Sequence, residues 1–282
     1  MSVAVVTDSS ALLPPDLFAD HDITVVPLYV RVGSRSGVEG AEITPDDVAR
    51  ALRERRVDVS TSRPSPGEFA AAYRRALDSG ADGVVSVHLS RQLSGTYESA
   101  CVAAREFPCG VVKVVDSRST AMGLGFAVLA AADEARGGGD LDSVRLAAEV
   151  SATRTTTLFY VDTLEHLRRG GRIGAAAALI GTALAVKPIL EMADGVVVVK
   201  EKVRTASRAL ARLEALAVEA AGDGPVDIAI HHLDAPERAE DLRAHLAADL
   251  AGRGRLVVSE VGAAVGAHVG PGIVGVVVVP RG

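Results

Sequence analysis

The sequence predicts an α/β fold in two domains, an N-terminal, mostly parallel sheet with flanking helices followed by a C-terminal α+β domain. Three observations carry the prediction. Short β-branched runs alternate with helix-patterned stretches through the first half. The texture of the chain changes after about residue 155, past the glycine-rich break Gly137-Gly138-Gly139. A strand–turn–strand pattern and then alternating helices and strands fill the second half. The expected domains are therefore 1–155 and 156–282.

The elements follow in chain order. SVAVVT at 2–7, ITVVPLYV at 23–30, GVVSVHL at 83–89 and GVVKVVD at 110–116 read as strands buried on both faces. Thr44-Pro45-Asp46-Asp47 supplies a cap and an N1 proline to the helix that follows, and Ser65-Pro66-Gly67-Glu68 spells a capping box. A further helix is expected over 95–106, and the glycine break separates one Ala-rich helix from the next. Beyond the boundary, KPILEMADGVVVVKEKV folds into a hairpin about Asp194-Gly195, followed by helix 206–221, strand 226–231, helix 236–251 and strand 255–261.

Composition removes several function classes. The chain has 282 residues, 48% of them hydrophobic but only 3% aromatic and none Trp, so its core is built from Ala, Val, Leu and Ile. Such side chains suit a smooth apolar cavity and a plain core equally well. The net charge of -6 offers no basic stripe, so nucleic acid is not an expected partner. MSVAVVTDSS lacks the pattern of a signal peptide, and no apolar run approaches the roughly 18 residues that span a bilayer, which points to the cytoplasm. Cys101 and Cys109 match neither a CxxC pair nor a metal pattern and are expected to be reduced; no metal or cofactor is expected.

Residues outside the periodic pattern concentrate in six segments: TDSS at 7–10, TSRPSPGEF at 61–69, LSRQLSGTYESA at 89–100, DSRSTAMGLG at 116–125, LEHLRRGGRIG at 164–174 and HVGPGIVGV at 268–276. Thr61-Ser62 and Ser94-Gly95-Thr96 are each placed where the chain runs into a helix, so hydroxyls and backbone N–H groups there would welcome an anion. Ser94 is equally placed to cap its own helix. His268 serves either as a hydrogen-bond donor to such an anion or as a structural histidine. Asp8, Ser9, Ser10, Asp116 and Ser117 fall at the carboxyl ends of expected strands, where ligands and helix caps both occur. The stretch 175–190 is apolar enough to wall a lipid slot or to be an ordinary buried helix and strand. Arg172 and Arg204, taken singly, read as solvated surface charges.

Together the six segments resemble the DegV family, in order and spacing over essentially the whole chain. The resemblance implies a fatty-acid-binding protein that serves as the carrier subunit of bacterial fatty acid kinase and performs no chemistry alone. It implies one long-chain fatty acid in a lipid slot between or within the domains, the C-terminal one being lipid-binding, with transient membrane contact left open. The carboxylate would lie on Thr61, or its neighbour Ser62, and on Ser94 and Gly95, with His268 beside them. Arg172 and Arg204 would face the ATP-binding subunit. Neutral hydroxyls suit a carrier, because a bidentate arginine would blunt the carboxylate as a nucleophile. Two alternatives are weaker. A serine acyl hydrolase using Ser94 and His268, with Asp8 or Asp116, lacks the GxSxG elbow and an HGGG segment. A self-sufficient kinase would need a phosphate loop that neither GGRIG nor VGPGIVG supplies. A carrier of another amphiphile remains open.

Overall fold

The computed structural model describes residues 2–14, 21–54, 57–179, 187–250 and 252–281. The chain divides into two compact units, one of Met1–Tyr29 with Thr61–Thr153 and the other of Val30–Ser60 with Arg154–Gly282.

In the first unit, β1 (Val3–Asp8), β2 (Ile23–Val26), β6 (Gly83–His88) and β7 (Val112–Asp116) form a four-stranded sheet of order β2-β1-β6-β7, with every pairing parallel. The buried runs VAVVTD and GVVSVH occupy its centre, where both faces are covered. Helix α2 (Pro66–Asp78) buries Phe69, Ala70, Ala72 and Tyr73, and α3 (Thr96–Ala104) buries Ala100 and Ala103; together they pack against Val6, Val26 and Val84. Helix α4 (Met122–Arg136) lies on β1 and β6 and is buried over most of its first ten residues, and α5 (Leu141–Arg154) follows the glycine break.

The expected capping box is formed: Ser65 N donates to Glu68 Oε2 at 2.8 Å and Glu68 N to Ser65 Oγ at 3.4 Å. One expected strand is not continuous. The run 23–30 breaks at Pro27-Leu28 into β2 and β3 (Tyr29–Val32), because Pro27 has no N–H for a ladder and Leu28 N donates instead to Ser9 Oγ at 2.9 Å.

The second unit holds β3 from Val30 on, β4 (Arg35–Val38), α1 (Pro45–Glu54) and the first half of β5 (Val59–Ser62), besides everything after Thr153. Strands β3–β5 make a small sheet of order β4-β3-β5. The larger sheet has the order β10-β9-β8-β13-β11-β12, built from β8 (Thr156–Tyr160), β9 (Lys187–Ala193), β10 (Val196–Val203), β11 (Val226–His232), β12 (Leu256–Glu260) and β13 (Val274–Pro280). Its pairs are antiparallel except β11 with β12. Helices α7 (Ala206–Ala221) and α8 (Pro236–Asp249) bury Leu213, Leu216, Leu242 and Leu246 against Leu158, Ile189, Ile228 and Val276. The expected hairpin turn is present, with φ of 49° at Asp194 and 85° at Gly195, the pair of positive values that matches strand twist.

The grouping differs from the expectation of consecutive domains, since residues 30–60 belong with the C-terminal half. The physical reason lies in contacts remote in sequence. Helix α1 packs on α9 (Ala263–Val269), the buried Glu39 carboxylate accepts from Ala264 N at 2.7 Å, and Arg53 pairs with Asp234 at 2.6 Å. Among the described residues, no helix is long and apolar enough to cross a membrane.

Candidate functional site

The carboxyl edge of the parallel sheet is a lattice of short polar side chains. Asp8 ends β1 with no exposed surface; its carboxylate accepts from Ser10 N (3.1 Å), Ser10 Oγ (2.5 Å), Leu89 N (3.1 Å) and His88 Nδ1 (2.9 Å). His88 Nε2 lies 2.6 Å from Ser86 Oγ, which in turn accepts from Tyr73 Oη at 2.8 Å. Burial pushes the Tyr73 phenol up, so it stays a donor. With Tyr73 donating, the one proton of Ser86 turns to Nε2, and the imidazole proton is left on Nδ1 facing Asp8. The order Ser86–His88–Asp8 is that of a hydrolase triad, yet all three are fully buried, so no ester carbonyl reaches Ser86 Oγ.

This network fixes the start of the loop that carries Ser94. Ser90 N donates to Ser119 O at 2.8 Å, and Ser90 O accepts from Leu93 N (2.9 Å) and Ser94 N (3.1 Å). The expected cap is displaced by one residue: α3 begins at Thr96, Gly95 is its N-cap, and the Ser94 hydroxyl lies 2.9 Å from Thr96 Oγ1 and 3.3 Å from Thr96 N. The tight turn closed on Ser90 O pushes the helix start past Ser94. Its half-buried hydroxyl is thus turned towards the first residue of α3.

Thr61 and Ser62 are the last residues of β5, from which the chain runs through the cap Ser65 into α2; Thr61 is half-buried and Ser62 exposed. What brings this segment to Ser94 is Arg63. A Cβ placed on Gly95 would collide with Arg63 Nη1 and lie 2.9 Å from its Cζ, so the guanidinium rests on the bare backbone of Gly95. Sequence reasoning missed Arg63. Its signal was a lone cation inside the hydroxyl-rich TSRPSPG.

The remaining expected residues lie in the second unit. His268 sits in α9 against α6 (Glu165–Arg169) and the glycines that follow: a Cβ on Gly170 would strike His268 Nδ1, and one on Gly270 would strike the His166 ring. Each histidine thus occupies the space left by the other segment's glycine, and Gly270 has in addition a φ of 78°. Arg172 Nη1 donates to Gly170 O at 2.5 Å. Burial, with the Arg172 charge nearby, pushes the His268 imidazole down to about 4, so it is neutral at pH 7. Arg172, read from sequence as a surface charge or a partner contact, is half-buried beside His268, whereas Arg204 is exposed between β10 and the α7 cap Thr205.

Of the expected apolar wall 175–190, residues 180–186 lie outside the described residues; Pro188, Ile189 and Leu190 are buried in β9, and Ala176 is buried in a 3-10 turn over Gly174–Leu179. A pocket of about 520 Å³ in the second unit is lined by Leu52, Arg53, Thr163, Glu165, His166, Arg169 and Pro271. Its charged lining does not suit an acyl tail. Among the described residues, no group of three His, Cys, Asp or Glu side chains converges as metal ligands. The carboxylate of Asp8, proposed from sequence as an orienting group for His268 in a hydrolase, is taken up by His88.

Comparison with known proteins gives a consistent result. The model of the DegV family, described as uncharacterised protein, matches residues 2–281. A DegV domain-containing protein of Streptomyces coelicolor is 56% identical over 99% of this chain and 99% of its own. The fold superimposes on a fatty acid binding DegV family protein from Thermus thermophilus with a TM-score of 0.93 at 35% identity, covering 100% of both chains. It matches DegV, a fatty acid binding protein from Bacillus subtilis, with a TM-score of 0.90 at 32% identity, again over 100% of both.

Proposed function

The chain belongs to the DegV family, and we propose on that premise that it holds one long-chain fatty acid in a buried apolar slot and hands its carboxylate to a kinase partner. In this reading it is a non-catalytic cytoplasmic carrier, and the partner is the ATP-binding subunit of a fatty acid kinase. The observation that carries the fatty acid is the end-to-end likeness to the fatty acid binding Thermus thermophilus protein, at a TM-score of 0.93 and 35% identity. The carboxylate is assigned to Thr61 or Ser62 and to Ser94 and Gly95, a choice supported by the Arg63 contact that draws the two segments together. His268 is assigned to the head on the family resemblance alone; neutral at pH 7, it offers an N–H without adding a charge. About fourteen methylenes at about 0.8 kcal/mol each give roughly 11 kcal/mol before ordering costs, so the tail dominates affinity and the head sets orientation.

Arg172 and Arg204 are assigned to the kinase-facing surface. The test is reconstitution with a fatty acid kinase ATP-binding subunit and ATP. Arg172→Ala and Arg204→Ala are expected to leave fatty acid affinity within about twofold while acyl-phosphate formation falls by about two orders of magnitude, as when a charge that steadies phosphoryl groups is removed. Parallel loss of fatty acid and of phosphorylation would move these arginines into the carboxylate site and contradict the assignment. For Arg172 that outcome has a structural route, since its charge lies beside His268.

A further inference from the structure

We infer that Arg63 is the charge-bearing specificity residue of the headgroup site, the group that makes this chain prefer an ionised carboxylate to a neutral amphiphile of equal length. The inference rests on the assignment of the carboxylate to Thr61, Ser62, Ser94 and Gly95. Within those segments the hydroxyls serve acid and alcohol alike, because a hydroxyl donates or accepts as required, and the backbone N–H groups favour the anion only through partial charges. A fixed cation adds a full charge that separates the two ligands.

Three observations point to Arg63. Its guanidinium lies over Gly95, one residue from the Ser94 hydroxyl and one from Ser62 along its own chain. Among the described residues no carboxylate is within ion-pair distance of it, so its charge is not already spent on an internal partner. By contrast Arg91 pairs with Asp116 at 3.5 Å at the same edge of the sheet. Finally, Gly95 has a φ of -74°, which any residue adopts, so glycine is not required there by the backbone. What an added methyl would disturb is the seat of the guanidinium.

The position also reconciles a cation with a carrier's chemistry. Arg63 is exposed, so water screens its charge, and it approaches Gly95 through a single Nη rather than as a buried two-pronged clamp. A carboxylate held in this way is oriented and partly neutralised yet keeps an oxygen for attack on a phosphoryl group. The acyl phosphate, carrying more negative charge, is held at least as well until release.

The experiment measures binding of palmitic acid and of hexadecanol to the delipidated full chain, at low and at raised salt. For the parent protein, acid is expected to bind more tightly than alcohol, with the preference shrinking as salt rises. Arg63→Gln should weaken acid binding about tenfold, as for loss of one charge-assisted contact, and leave alcohol binding unchanged. Arg63→Lys should restore part of the preference. Gly95→Ala should lower it in the same sense, because the added methyl displaces the guanidinium. If the parent prefers acid and Arg63→Gln keeps both that preference and its salt dependence, the inference fails while the carrier reading stands. If the parent shows no preference for acid, the carboxylate assignment and the inference fall together.

Discussion

Asp8, His88, Ser86 and Tyr73 show how a polar chain is accommodated where nothing is exposed. Every oxygen and nitrogen named in that chain has a partner, so the network costs little when complete and much when broken. Asp8→Asn keeps the shape but puts an amide N–H₂ in place of one oxygen, facing either the Ser10 N donor at Oδ1 or the Leu89 N donor at Oδ2. The substitution should cost about 3 kcal/mol in urea unfolding, with the slope unchanged. Tyr73→Phe removes only the end of the chain and should cost about 1 kcal/mol. Equal and negligible effects of both would mean that the network does not fix the loop at Leu89. None of this was legible from the sequence, where Asp8 read as a strand-end residue and His88 as part of a strand. The hydrogen bond joining them spans 80 residues and follows from the pairing of β1 with β6.

Elements were legible where their signals are local. Ser65 and Glu68 stand three apart, so the box that starts α2 could be read directly, and both of its bonds are present. Helix 206–221 and the turn at Asp194-Gly195 were likewise given by spacing and turn chemistry. Ser65→Ala should therefore destabilise the protein by about 1 kcal/mol, read from thermal or urea unfolding, while leaving ligand preference untouched because the box faces its own helix. An effect on acid-over-alcohol preference as large as that of Arg63→Gln would show that the cap and the headgroup loop move together. The sequence reading failed where an element end depends on a neighbour. The start of α3 is set by the turn on Ser90 O, and Ser90 is itself tied to Ser119, so the cap moved from Ser94 to Gly95. Pro27 cut one strand into two for a reason visible in sequence, though the destination of the second piece was not.

For the molecule as a whole, the α/β class and the family were legible because six polar segments recur at characteristic spacing along the entire chain. The composition of the two units was not. Residues 30–60 join the second unit through α1 on α9 and through Glu39 on Ala264, a bond across 225 positions that no local pattern announces. The Arg63–Gly95 contact has the same character, joining segments whose separate motifs say nothing of their meeting. The candidate site was therefore readable as a set of hydroxyls and histidine, while Arg63, a lone cation in TSRPSPG, gained its place beside Gly95 only from the fold. The central claim is that this chain carries a fatty acid. The most direct measurement is native mass spectrometry of the full chain purified from a bacterial host without detergent, followed by organic extraction and identification of the released lipid. The account predicts a mass increment equal to one fatty acid on nearly every chain, recovered intact by extraction. An unliganded chain, or a neutral lipid in place of the acid, would contradict it.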